Sequence, residues 1–166
     1  MRSSRSSLLA LVLVAACESG PSTIPVTSLP AGAVPITRFD TQPNAYYSNT
    51  GVYATEEGVV RGVAEWERLH ARLVERFSPA PAAPVLNWTD STLVYVALGE
   101  RPNGGYGIVL DSATTDGELV TFHVSERSTD GCVTPAVMVT PVDVAQLPRW
   151  DGPIQVVRTP KIHVCD

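Results

Sequence analysis

The sequence predicts an α+β fold, a mainly antiparallel β-sheet folded into a sandwich or half-barrel with one amphipathic helix packed on it. Two observations predict it. Between Val63 and Phe77 apolar residues recur at three- and four-residue steps, the spacing of one helical face. After Pro84 the chain instead alternates, or runs apolar, in segments of strand length bounded by Gly, Pro, Asp and Thr.

The elements follow in order. Arg2 and Arg5 form a basic start, Leu8 to Ala16 an apolar run, and Val14-Ala15-Ala16-Cys17 supplies the small residues a lipobox places before its cysteine. Nine apolar residues are too few to span a bilayer as a helix, which takes about 20. Residues 1–16 are therefore expected to be a lipoprotein signal peptide; an ordinary signal peptide or an uncleaved anchor is the alternative. Residues 17–35 then hold the lipidated Cys17 and a flexible tether rich in Ser, Pro, Gly and Ala, with an end-to-end distance of roughly 25 Å. Residues 36–166 are expected to be a single globular domain.

From Ile36 to Arg61 the signals are mixed. Tyr46, Tyr47 and Tyr53 suggest short strands or a packed loop, and Gly58-Val59-Val60-Arg61 a brief strand. The helix from Val63 to Phe77 carries Val63, Trp66, Leu69, Leu73 and Phe77 on its apolar stripe, which makes Trp66 a core residue. Glu65 and Glu67 near its start and Arg76 near its end follow the helix dipole. Ser78-Pro79, Pro81 and Pro84 end it. Thr92 to Leu98 is nearly all apolar, as expected of a strand buried on both faces. Tyr106, Ile108 and Leu110, and then Val120, Phe122 and Val124, alternate with other residues as two strands joined by a turn at Thr114 to Gly117. Alternation leaves His123 away from the apolar set. Further strands are expected over Ala136 to Thr140, Val142 to Ala145 and Ile154 to Val157, with Pro141 and Pro148 limiting them to edges or bends.

Charge and cysteine content narrow the function. The whole chain has a net charge of −5, and cleavage of the signal would remove only Arg2 and Arg5 from its cations. Such an acidic surface argues against nucleic acid and against charge-driven binding to anionic lipid, so membrane contact is expected through the N-terminal lipid. With Cys17 lipidated, Cys132 and Cys165 are left as an even pair, expected to form a disulfide in an oxidising compartment; two free thiols are the alternative. No metal site and no cofactor are expected, because the two cysteines and His70, His123 and His163 show no ligand spacing of the usual kind. The sequence has no Gly-x-Ser-x-Gly elbow, no His-Glu-x-x-His helix and no phosphate loop, which favours a binding protein over an enzyme.

The most unusual segment is Gly99-Glu100-Arg101-Pro102-Asn103-Gly104-Gly105-Tyr106. Pro102 fixes one φ, and Asn103, Gly104 and Gly105 are expected to supply the positive φ of a tight turn. A structural hairpin accounts for the glycines but not for Glu100 and Arg101 beside an aromatic anchor.

In this segment, and in the order of elements around it, the chain resembles the C-terminal domain of PrcB-type protease complex subunits. The resemblance rests on Trp66, the prolines Pro79 to Pro84, the strand Leu93 to Gly99, the turn Arg101 to Tyr106, the charged hairpin Gly117 to Glu126, Cys132, and Thr140-Pro141-Val142, and covers about Gly51 to Val157. Two positions depart from the family pattern. Asn87-Trp88 stands where relatives carry Asp-Phe, and Asn103 where they carry Thr. Asn87-Trp88-Thr89 also fits the N-glycosylation pattern, which a lipobox, implying a bacterium, makes irrelevant.

The resemblance implies a non-catalytic accessory or stabilising subunit that binds an envelope or surface protease. A surface patch of Arg101, Pro102, Asn103, Gly104, Gly105 and Tyr106 is then the expected contact, with Tyr106 and Arg101 of the types that dominate interfaces. Tyr106 opening a strand and facing the core is an equal alternative. Gly-Gly-Tyr also resembles, over a much shorter stretch, the Thr-Gly-Tyr loop of chagasin-type cysteine protease inhibitors, so a cleft-binding inhibitor is one alternative and a structural envelope lipoprotein another. Glu18 is not the Asp that commonly retains lipoproteins at the inner membrane, which favours the outer membrane of a bacterial envelope and leaves the face open.

Overall fold

A computed structural model describes residues 28–38 and 48–165. The expected signal peptide, Cys17, the tether up to residue 27, and Tyr46 and Tyr47 lie outside the described residues. Among the described residues nine elements follow in order: β1 (Gly32–Val34), β2 (Thr37–Arg38), β3 (Thr55–Val60), α1 (Val63–Leu73), β4 (Ser91–Leu98), β5 (Gly107–Thr115), β6 (Val120–Asp130), β7 (Val142–Pro148) and β8 (Ile154–Val164). They form two four-stranded sheets, ordered β1-β5-β6-β8 and β2-β7-β4-β3. The described residues thus form an α+β sandwich with one helix, as the periodicities predict.

Three layers explain the apolar patterns. Val94, Val96, Leu98, Ala145 and Leu147 of the second sheet meet Ile108, Leu110, Val120, Phe122 and Val124 of the first in one core. On the opposite face of the second sheet, Leu93, Ala97, Val142 and Val144 pack with Trp66, Leu69 and Leu73 of α1 in another. β4 is therefore covered on both sides and reads as a continuous apolar run, whereas β6, with one face outward, alternates. Trp66 is buried and donates from Nε1 to the Pro84 carbonyl at 2.9 Å, which fastens the proline-rich link over the helix. Trp88 packs against the same core, an aromatic anchor just ahead of β4. Asn87 closes the turn before it, its Oδ1 accepting from the Thr89 hydroxyl at 2.8 Å.

Several expectations change. The helix ends at Leu73 and not at Phe77: Val74 leaves helical geometry as the C-cap, and Phe77 is exposed. Residues 136–140 form no strand, only an isolated bridge at Val139 and another at Thr140. Gly32–Val34, inside the stretch assigned to the tether, pair with β5. Pro141 and Pro148 bound β7 but do not confine it to an edge, since β7 lies between β2 and β4. β8 runs to Val164, seven residues past the expected Val157, and pairs with β6 in parallel. As the end strand of its sheet it has a partner on one side only, so Pro160 is tolerated. Among the described residues no helix is long and apolar enough to cross a membrane.

Two buried polar groups stand out. Asp143, on the sandwich side of β7, accepts from the Leu110 amide of β5 at 2.7 Å, from the Val144 amide at 3.0 Å, and from the Arg38 guanidinium of β2. Burial pushes its carboxyl above the usual range, against these bonds. His70 is buried on α1 with its ring centroid 5.2 Å from that of Trp66, and its Nε2 has no hydrogen-bond partner among the described residues. Burial pulls its pKa below the usual value of 6.5. As pH falls through 6.5 the unfolded chain gains a proton that the folded chain resists, so His70 should cost stability in that window. Thermal melts of wild type and His70→Leu between about pH 7 and 5 check this. The variant's Tm should fall less steeply, and parallel slopes would contradict it.

Candidate functional site

The unusual turn is built where β4 leaves the second sheet. Gly99 takes φ +75°, and a Cβ there would lie 2.8 Å from the Thr55 backbone nitrogen, so the position requires glycine twice over. Glu100 donates its amide to the Tyr53 carbonyl at 3.0 Å. Arg101 then exchanges both backbone bonds with Val139, at 2.8 and 3.0 Å, while its guanidinium turns back to the Glu100 carbonyl at 3.0 Å. Asn103 accepts the Gly105 amide on Oδ1 at 2.9 Å, an Asx turn, and Gly104 donates to the Pro135 carbonyl at 2.9 Å.

The conformational role expected of Asn103, Gly104 and Gly105 is not the observed one. None of the three has positive φ, which falls instead on Gly99. Gly105 is small because of crowding: a Cβ there would collide with Thr129 Oγ1 and lie 2.9 Å from Thr134 Cγ2. Gly105→Ala should therefore lift the turn off the 129–135 segment at a cost of about 1–3 kcal/mol. Urea unfolding measures the cost, and amide shifts confined to residues 101–106 and 129–135 mark the place. An unchanged midpoint would contradict the packing described. Tyr106 is half-buried and packs on the sandwich core.

The turn is braced by a segment whose importance the sequence does not announce. After Gly131, with φ +71°, Cys132 is joined to Cys165, their Cα atoms 5.0 Å apart. The chain then crosses under the turn, with Val133 fully exposed and Val137 and Met138 about half exposed, before the hydroxyl of buried Thr140 donates to the Thr50 carbonyl at 2.7 Å. Ile162 and Val164 at the end of β8 are exposed as well, on the strand that the disulfide holds to this segment. One end of the sandwich thus carries Pro102 and Gly104 beside a group of uncovered apolar side chains. Such clustering is what interaction surfaces show. The signal in the sequence was available, since Val133 to Met138 is apolar and proline-broken, but it resembles a strand.

The disulfide also gathers groups that are far apart in sequence. Ligand atoms of Cys132, His163 and Cys165 lie within 4.8 Å of one another. With the sulfurs bonded to each other, His163 alone keeps a free donor for a metal. His123 lies exposed on the outer face of the first sheet. A second concave place, about 340 Å³ between α1 and β3, is lined by a network of its own: Arg72 forks onto both Glu56 oxygens at 2.9 and 3.0 Å, and Tyr95 donates its hydroxyl to Glu56 at 3.0 Å. The Arg72 bonds hold the Glu56 carboxyl below the usual range. With Glu56 and Arg72 paired to each other, this network joins helix to sheet.

Residues 92–148 match the family model described as PrcB C-terminal. The match spans β4 to β7 and contains the whole turn, while α1 and the start of β8, which the resemblance also covered, lie outside it. No curated protein and no solved structure matches the chain. The match covers 57 of the 166 residues.

Proposed function

We propose that this chain, whose residues 92–148 match the PrcB C-terminal family model, is a non-catalytic envelope lipoprotein that binds and stabilises an envelope or surface protease. Lipid on Cys17 would hold it to the membrane, with the outer membrane favoured by Glu18, and the tether would let the sandwich reach its partner. The observation that carries the docking reading is the end of the sandwich where the Arg101–Tyr106 turn is bonded to a loop of exposed apolar residues, Val133, Val137 and Met138. An anchored turn beside uncovered apolar area suits a rigid contact, which avoids the ordering cost a free loop incurs on binding. The packing of Tyr106 on the core supports surface docking over entry into a protease cleft, because the ring a cleft would receive is already partly used within the fold.

The reading is tested in the native host by deleting the chain and restoring it with or without Cys17→Ala. Loss of one envelope protease's abundance or activity on deletion, restored by the lipidated form and poorly by the Cys17→Ala form, is the expected result. Unchanged envelope proteolysis in the deletion strain would overturn it.

A further inference from the structure

The disulfide holds three metal-ligand side chains together, two of them occupied by their own bond. His163 and Cys165 are two positions apart at the end of β8 and just past it, so both project from one face of the strand. Val164 between them lies opposite Asp130, the last residue of β6, and from there Gly131, at φ +71°, turns the chain so that Cys132 Sγ comes to 3.7 Å from the His163 carbonyl oxygen. The two sulfurs and a ring nitrogen of His163 lie within 4.8 Å of one another, the one such group of three among the described residues. Spacing along the chain hides the set, because Cys132 meets the other two only through the parallel ladder.

Opening the sulfur–sulfur bond would place two thiols beside that imidazole. A dithiol donor does this by exchange: one of its thiolates attacks a sulfur of the pair to form a mixed disulfide, its second thiol displaces the attached cysteine, and two electrons and two protons pass from the donor, which leaves as a disulfide, to Cys132 and Cys165. The pair is open to such attack, since neither cysteine is buried, His163 is exposed, and β8 has no strand beyond it among the described residues. Around one tetrahedral zinc ion the ligand atoms stand about 3.5–3.8 Å apart. With the two Cα atoms at 5.0 Å and the ring nitrogen already close, rotation of the freed side chains supplies that arrangement. Two thiolates and an imidazole suit a soft or borderline ion and not Mg²⁺ or Ca²⁺, which take oxygen ligands. Each thiol gives its proton to solvent on binding, so Zn²⁺ with two thiolates is neutral, and the cations Lys161 and Arg127, one same-face position back along the ladder, do not oppose it.

We propose that reduction by a dithiol converts this clip into a site for a thiophilic ion of the zinc type, held by Cys132, Cys165 and His163 with a fourth position open to water. Disulfide and metal are then alternative fastenings of the same chain end, and either one ties β8 to the 132–139 segment beside the turn. The inference goes beyond the docking reading and does not depend on a protease partner.

The test uses the full chain carrying Cys17→Ser, which leaves Cys132 and Cys165 as its only cysteines, either oxidised or reduced with a phosphine that is then removed. Calorimetric titration with Zn²⁺ at neutral pH should show one ion per reduced chain, bound with release of about two protons, and no binding of micromolar zinc to the oxidised chain. His163→Gln, a change at an exposed side chain, should weaken zinc binding to the reduced chain by at least about tenfold and leave the melting curve of the oxidised chain unchanged. Amide exchange over residues 161–165 should quicken on reduction and slow again when zinc is added, in wild type and not in His163→Gln. A reduced chain that melts throughout without metal would still decide the matter, since zinc should then refold wild type and not the variant. Equal zinc binding by oxidised and reduced chains, equal affinity of wild type and His163→Gln, zinc binding that leaves residues 161–165 unprotected, or no binding to the reduced chain would each overturn the proposal. Envelope proteolysis enters none of these readouts, so their failure leaves the docking reading standing.

Discussion

Replacing Asp143 with Ala should cost about 2–4 kcal/mol of folding free energy. The carboxylate joins three strands: β7, which carries it, β5 through the Leu110 amide at 2.7 Å, and β2 through Arg38. Truncation leaves the buried Leu110 amide without its acceptor, removes the link from β7 to the Arg38 guanidinium of β2, and opens space between the sheets. Asp143→Asn keeps an acceptor and should cost about half as much. The pH dependence has a definite sign. Because burial raises the folded carboxyl above 3.8, its stabilising contribution is complete below that value and is lost as pH rises through the raised pKa. The advantage of wild type over Asp143→Asn should therefore shrink as pH rises from acid toward neutral. Urea unfolding at two pH values measures both, and a difference under about 0.5 kcal/mol between wild type and Asp143→Ala would contradict the cross-strand role.

Removing the disulfide is the second large change. Cys132 and Cys165 close a loop of sequence separation 33, for which chain entropy gives about 3–4 kcal/mol. The local effect should exceed the global one. β8 pairs on one side only, its last residues are exposed, and beyond the ladder the Cys165 amide bonds the Asp130 carbonyl at 3.0 Å. In Cys132→Ser with Cys165→Ser, amide exchange should therefore accelerate first over residues 161–165, with the sandwich core protected until global unfolding. Equal exchange in both proteins would mean that the parallel ladder alone holds the chain end.

How far the sequence carries depends on the range over which each signal acts. Trp66, Leu69 and Leu73 are close in sequence and face one core, so their spacing reveals the helix; Phe77 continues the spacing but lies beyond the core, and the helix stops without it. The apolar run from Thr92 to Leu98 reveals a strand with two covered faces because both coverings act on the same residues. The pairing of β8 with β6 is different. Between Asp130 and Ile154 the chain passes through β7 in the other sheet, and nothing local in Ile154 to Val164 records that its neighbour will be a parallel strand. Gly32–Val34 is too short to show a period, and its assignment rests on β5. Asp143 was visible as an acid in the apolar run Val142 to Ala145, but its partners, Leu110 and Arg38, are distant in sequence.

The turn shows the same limit. Its composition marked Arg101 to Tyr106 as unusual and Gly104-Gly105 as constrained. The reason for the constraint, Thr129 and Thr134 packed against Gly105, belongs to segments that meet the turn only in the fold. Val133 to Met138 was hidden for a related reason, since its apolar residues have the content of a strand and no partner strand to pair with.

Site-specific photo-crosslinking at Met138 in native envelopes tests the central claim most directly. With the crosslinking residue at position 138, the account predicts one dominant adduct containing an envelope protease, lost when Val137→Asp is added, while the same residue at exposed His123 on the outer face gives none. Adducts of equal yield from both positions, or a dominant adduct at 138 that contains no member of a protease complex, would contradict it.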